Sequence, residues 1–310
     1  MCGIVGLLLK DRGASPNLGR LLLPMFNCMG DRGPDSAGLA VFQSAQSQPA
    51  PSQSAHSPSA TTRRFNLFAH DSGYDWSRLV DRFRQARDPQ AGMEPLDRHA
   101  VLLSTTQPGD VKAWLAGYDQ ALHLLSVGRS IDVYKDEGHP CEIAERYHFA
   151  SLAGSHCVGH TRMATESAVS PAHAHPFTAG EDFCLVHNGS LSNPYMLRRK
   201  LEAQGLTFET DNDTEAACRF IEWRLRLGDT IHQALEAAFA ELDGFYTLLI
   251  ATAGSMTLVR DAFACKPAVV AETDDYVAIS SEFRSLAHLP GVADANIFEP
   301  LPEEIYTWNV

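Results

Sequence analysis

The chain has 310 residues, 45% hydrophobic and 20% charged, which places it among globular proteins rather than disordered or fibrous ones. A formal net charge of -13 leaves no basic field for phosphate backbones or anionic lipid, so neither nucleic acid nor a membrane surface is an expected partner. Seven scattered cysteines, Cys2, Cys28, Cys141, Cys157, Cys184, Cys218 and Cys265, without a C-x-x-C pair, argue against a disulfide framework or a zinc site.

The elements begin with a strand over Ile4 to Leu9, too short to cross a bilayer and lacking a signal peptide's basic start and cleavage site, so a cytoplasmic location is expected. Leu18, Leu21, Leu22, Met25 and Met29 recur at helical spacing, with Pro24 expected to kink or interrupt the helix. The turn-rich DRGPDSAG, Asp31 to Gly38, leads into a strand at Leu39 to Phe42. From Ser44 to Thr62 the composition falls to Ser, Ala, Gln, Pro and Thr, which predicts a disordered surface insertion within one domain spanning 1–310. Helices are expected near 76–87, 108–117 and 140–147, and strands near 100–105, 122–127 and 130–135.

Further on, Asn193-Pro194 supplies an N-cap with proline at the first helical position, and Gly205 stops that helix. Asn212 opens another helix, to about Leu227, with Glu215 placed for a capping box, and a third spans roughly 230–242. FYTLLIAT, MTLVR, PAVVA and YVAISS then read as four strands of an antiparallel sheet. Strands at both ends with helices clustered between them indicate a layered α+β architecture.

Cys2 has a chemical reading beyond packing. Removal of Met1 would leave a thiol and a free α-amino group on one residue, with reference pKa values of roughly 8.5 and 7.7 to 8.0, so the amine can accept the thiol proton near neutral pH. Four further motifs appear in order: GHTRMAT (Gly159 to Thr165), His175-Pro176, HNG (His187 to Gly189) and DNDTE (Asp211 to Glu215). Taken singly, Cys2 reads as a small strand residue, Arg162 as an ion-pair residue, Asp213 as a helix-start charge, Asn188-Gly189 as a hairpin turn and the histidines as scattered metal candidates. Their joint occurrence outweighs those readings.

Together with MCGIVG and RGPDSAG, these motifs make the chain resemble the class II glutamine amidotransferases, which are N-terminal-nucleophile hydrolases. The resemblance continues more faintly at Arg260-Asp261, Lys266-Pro267 and Ser280 to Glu282. It implies a four-layer αββα sandwich of two antiparallel sheets with helices on both outer faces. It also implies that Cys2 attacks the side-chain amide of glutamine, with Asn188 and the Gly189 N–H as oxyanion donors. Arg162 would hold the α-carboxylate and Asp213 the α-ammonium, with Thr165 and His175 lining the same pocket, and the resemblance makes the loop Asp31 to Ser36 a candidate lid near it.

GHTRMATESAV lacks the tryptophan and histidine that many sugar-phosphate members carry there, and GRSIDVYKDEGHP stands upstream. That combination is similar to the stand-alone glutaminase subunits of glutamate-synthase-like complexes, including N-methylglutamate synthase. A hetero-oligomer is therefore expected, in which ammonia passes to a synthase subunit. No nucleotide-binding glycine motif and no cluster-binding cysteine run occurs, so no cofactor is expected in this chain, and FMN and iron–sulfur centres would belong to the partner. A hydrolase of another γ-glutamyl amide and a non-catalytic regulatory subunit are the alternatives.

Overall fold

Strand β1 (Gly3–Leu9) is buried along its whole length, which is why both of its faces are apolar. The computed structural model describes residues 2–43, 61–164 and 170–310. After β1 come α1 (Leu18–Cys28) and β2 (Ser36–Phe42), and after them β3 (Arg63–Ala69), α2 (Trp76–Ala86), β4 (Gly92–Leu96), β5 (His99–Ser104), α3 (Pro108–Tyr118), β6 (Leu122–Gly128) and β7 (Ile131–Glu137). The middle of the chain contributes α4 (Pro140–Arg146), β8 (His156–Arg162), β9 (Phe177–Thr178), β10 (Phe183–Leu191), α5 (Pro194–Glu202), α6 (Asp213–Arg226) and α7 (Ile231–Glu241). The last segments are β11 (Gly244–Thr252), β12 (Ser255–Arg260), β13 (Val269–Glu272), β14 (Tyr276–Ser280), α8 (Phe283–Leu286), β15 (Asn296–Phe298) and β16 (Tyr306–Asn309).

Two antiparallel sheets form the centre. One has the order β15-β13-β14-β1-β8-β2-β7, the other β16-β12-β11-β10-β9. Ile4, Leu8, Val158, Val186, Leu249 and Ile279 fill the layer between them. On the outside of the larger sheet, Val5, Leu7 and Leu39 pack on Leu22, Met25 and Phe26 of α1 and Ile143 of α4. On the outside of the smaller sheet, Leu185 and Leu248 pack on Leu197 of α5, Phe220 of α6 and Leu235 of α7. The result is the expected αββα layering, each strand sorting its side chains between an inner and an outer core by the two-residue pleat.

A third sheet, β4-β5-β3-β6, is added between β2 and β7. It has its own core, in which Phe65, Leu67 and Leu102 meet Trp76, Leu79 and Phe83 of α2 and Leu115 of α3. Asn66 ties this sheet to β7, its Nδ2 donating to the Ile131 carbonyl (2.9 Å) and its Oδ1 accepting from Val133 N (3.3 Å). The Ser44 to Thr62 stretch lies, apart from Thr61 and Thr62, outside the described residues. Among those residues no helix is long and apolar enough to cross a membrane.

Three local expectations are corrected. Helix α1 continues through Pro24, held by the burial of Leu22, Met25 and Phe26 on either side of it. Glu215 does not return to the N-cap: its carboxylate accepts from Glu209 N and Thr210 N, while Asn212 alone caps α6 through Thr214 N. The reciprocal box forms instead at Thr230 and Gln233 of α7. Finally, the four strands of 244–280 do not share one sheet, because β11 and β12 join the smaller sheet while β13 and β14 join the larger.

Gly38 of β2 lets the chain at His175 cross closely, since a Cβ there would stand 2.1 Å from the His175 carbonyl oxygen. Exposed Gly117, inside α3, has nothing within 4 Å of its would-be Cβ. Gly38→Ala is therefore expected to lower stability by about 2 to 3 kcal/mol, and Gly117→Ala to raise it by about 0.5 to 1 kcal/mol, in urea denaturation. A neutral Gly38→Ala would contradict the packing described.

Candidate active site

The pleat decides which side chains meet. On β1, Ile4 and Leu8 face the inter-sheet layer, so Cys2, of the same parity, faces it too. On β8 the inward set is His156, Val158, His160 and Arg162, and on β10 it is Cys184, Val186 and Asn188. Gly3 pairs with Thr161, which brings Cys2 beside Arg162, and Ser36 of β2 pairs with Arg162 on its other side. Cys2, Arg162 and Ser36 thus form a transverse row on the larger sheet. Asn188 of the smaller sheet projects into the same layer.

The start of β1 is tied down by the chain around it. Ile4 N donates to Ser281 Oγ (2.9 Å), and Arg32 Nε donates to the Cys2 carbonyl (3.1 Å) while its NH1 binds Glu282 (2.8 Å). Asp35 accepts from Ala164 N (2.7 Å), and Gly33 packs so tightly on Thr161 and Arg162 that a Cβ would meet their backbone within 2.5 Å. The Asp31 to Ser36 segment is therefore anchored at three points. Arg162 is buried, and burial pushes its guanidinium down, opposed by the charges of Cys2, Asp35, Asp211 and Asp213 around it. Cys2 itself is half-buried, its Sγ 4.0 Å from the Met163 carbonyl oxygen.

Behind the row lies a buried cluster of neutral rings. His160 Nε2 donates to the His187 carbonyl across the layer (2.9 Å), and its ring stacks on His175 at 3.9 Å between centroids. His175 Nδ1 accepts from His187 N (3.3 Å), where a further β9 residue would otherwise continue the ladder. Thr214 Oγ1 stands 3.1 Å from His175 Nε2 and 2.9 Å from His187 Nδ1. Asp213 accepts from Leu191 N (2.9 Å) and lies 3.8 Å from His187 Nδ1. Burial lowers His160 to about 3 and holds His175 and His187 below their ordinary value.

The structure brings Cys2, Arg162 and Asn188 to one end of the inter-sheet layer and sets Asp213 at the start of α6. Both His175 ring nitrogens are engaged within the protein. Among the described residues the buried Asn188 Nδ2 has no hydrogen-bond partner. Gly189 is fixed by space and conformation: its φ is +155°, and a Cβ would stand 1.9 Å from the Phe245 carbonyl oxygen. Thr165 lies outside the described residues. Within DNDTE the sequence marks Asp213 and not Thr214, while Arg32 and Ser36 are covered only by the Asp31 to Ser36 lid expectation. The fainter matches serve the frame: Asp261 accepts from Tyr246 N (2.9 Å) and Phe263 N (2.8 Å).

A glutamine amidotransferase domain model matches residues 160–288. Over its full length the chain is 43% identical to the glutamine amidotransferase-like protein GlxB of Rhizobium meliloti (strain 1021), covering 98% of that protein. The chain belongs to the class II glutamine amidotransferases. It is also 32% identical, over 135 residues, to the glutamine–fructose-6-phosphate aminotransferase of Vibrio cholerae, matching 43% of this chain and 22% of that one. The glutamine phosphoribosylpyrophosphate amidotransferase of B. subtilis shares the fold at 18% identity with a TM-score of 0.61. That likeness covers 99% of this chain, which spans about half (47%) of the other.

Three buried histidines make the frame acid-sensitive. His99 and His156 are lowered to about 4 and His160 to about 3, in each case chiefly by burial. Below a pH of about 6.5 the unfolded chain takes up protons that these folded rings refuse, so stability falls as pH drops from there toward the folded values. Between pH 6.5 and 5 each ring is expected to remove about 2 kcal/mol. Urea denaturation at pH 7, 6 and 5 checks this: a flat profile would contradict it, and His156→Gln should shallow the slope by one proton.

Proposed function

We propose that this chain hydrolyses glutamine to glutamate and ammonia through a thioester on Cys2, and that the ammonia passes to a separate synthase subunit. The observation that carries the reading is the convergence of Cys2 and Arg162 from one sheet with Asn188 from the other, the Asn188 amide N–H2 being buried without a partner among the described residues. A buried donor left open is costly unless something fills it, and a developing oxyanion would.

In this reading Met1 is removed and the Cys2 α-amine takes the thiol proton. The thiolate attacks the glutamine amide carbon, and the oxyanion is held by Asn188 Nδ2 and the Gly189 N–H. Collapse breaks the C–N bond as the α-ammonium passes its proton to the leaving nitrogen, which departs as ammonia, and the freed α-amine then activates the water that hydrolyses the thioester. Arg162 binds the α-carboxylate and Asp213 the α-ammonium, so the amide is aimed at sulfur by a clamp on the opposite end of the substrate. His175 shapes the pocket from behind. Thr165 completes it on the family resemblance.

The acceptor is proposed to be a glutamate-synthase-like subunit, with N-methylglutamate synthase as the specific candidate, in a hetero-oligomer whose FMN and iron–sulfur centres belong to the partner. Glutamate release from glutamine by the processed protein, alone and with a co-purifying partner, tests the reading beside Cys2→Ala, which still permits Met1 removal. Release is expected to be abolished in Cys2→Ala, and Asn188→Ala is expected to lower kcat by about 100- to 1,000-fold. Release that persists in Cys2→Ala would sink the mechanism, and its absence from the wild type with and without partner would favour a regulatory subunit. Faster turnover of bulkier γ-glutamyl amides than of glutamine would favour the broader hydrolase.

A further inference from the structure

We propose that Thr214 is a positioning residue for this hydrolysis, its hydroxyl locking the Asp213 end of α6 to the His187, Asn188 and Gly189 segment of β10. The inference rests on the glutamine-hydrolysing reading above. It starts from which atom can donate to which.

The His187 N–H is a donor only, so His175 Nδ1, 3.3 Å away, must accept. A neutral His175 then carries its proton on Nε2, which donates to Thr214 Oγ1 at 3.1 Å. The hydroxyl keeps one proton of its own. It goes to His187 Nδ1 at 2.9 Å rather than to Asp213 Oδ1 at 3.4 Å, since the shorter approach makes the stronger bond. His187 is left with its proton on Nε2, a buried atom with no hydrogen-bond partner among the described residues, beside Gly189, where a Cβ would stand 2.6 Å from that nitrogen. The path is a closed loop: backbone of His187, ring of His175, hydroxyl of Thr214, ring of His187. Burial holds both rings neutral, which keeps every donor and acceptor in the loop single-valued.

Only a hydroxyl can stand at the junction, because it must accept from one ring and donate to the other. Its two chain neighbours in space are the groups of opposite function. Asp213, one residue before it, would hold the α-ammonium, and Asn188, one residue after His187, would hold the oxyanion. Thr214 therefore ties substrate binding to transition-state stabilisation, touching neither the substrate nor the reacting atoms.

The test compares Thr214→Val with Thr214→Ser in the processed full chain. Valine keeps the shape and removes the hydroxyl, leaving His175 Nε2–H and His187 Nδ1 unsatisfied in a buried place; serine keeps the hydroxyl and loses only a methyl. Expected for valine is a loss in glutamine kcat/KM of about tenfold to a hundredfold, shared between a raised KM and a lowered kcat, with serine within about threefold of wild type. A purely packing role would give the reverse order, and that order would overturn the proposal. Long-range proton–nitrogen spectra of histidine-labelled protein supply a readout free of turnover. His175 and His187 should both be protonated on Nε2 in the wild type, and a His187 protonated on Nδ1 would overturn the proposal. If wild type turns over glutamine and Thr214→Val matches it, only this proposal falls; if the wild type does not, the functional reading falls and takes it along.

Discussion

Two imidazole bonds set one central sheet on the other. His156 and His160, both on β8, donate through Nε2 to the carbonyls of Thr252 and His187 in the facing sheet, at 2.8 and 2.9 Å. One such bond fixes a point, while two fix both the slide and the rotation of the pair. Apolar side chains between sheets attract without direction and would tolerate neighbouring alignments; a buried donor does not, because a missed bond leaves it unsatisfied. Arg162 stands two residues beyond His160 and Asn188 one residue beyond His187. The alignment that satisfies the imidazoles is therefore the one that brings the guanidinium and the amide to the same end of the layer.

Charge is sorted along that layer. Inside, the histidines are neutral and hydrogen-bonded. At the end, Arg162 meets the carboxylates of Asp35, Asp211 and Asp213. A zwitterionic substrate suits this arrangement, since each of its charges finds an opposite one without entering the apolar interior. The frame supplies rigidity with uncharged polar groups and keeps its ions at one end of the layer.

Much of this was legible in the sequence, and what was not has physical causes. Apolar periodicity located α1 to α4 and most strands because these segments bury one face or both against a core. Pro24 misled because the packing of Leu22, Met25 and Phe26 outweighs one lost helix bond. Glu215 misled because spacing alone cannot tell whether a carboxylate turns back to the cap or out to Glu209 and Thr210. The four strands of 244–280 look alike locally, and only long-range pairing divides them between sheets. Cys2, Arg162, Asn188, Gly189 and Asp213 are marked by their motifs, whereas Thr214 is not and Ser36 appears only within a candidate lid. Their roles come from pairs joined in space, such as Ser36 with Arg162 across two strands, which a linear motif does not display.

The pairing of β1 has a consequence for how the chain is made. Val5 faces Gly159 on one side and Ser280 on the other, so β1 finds its second neighbour only after β14, far along the chain, has been made. Until β8 is made, GIVGLLL, buried at every position in the finished fold, has two open edges and two apolar faces, and one edge stays open until β14. Such a segment invites pairing with other chains, and a nascent polypeptide that carries it must be shielded or outpaced. The placement that sets Cys2 at the head of a central strand also leaves that strand exposed while the chain is being made.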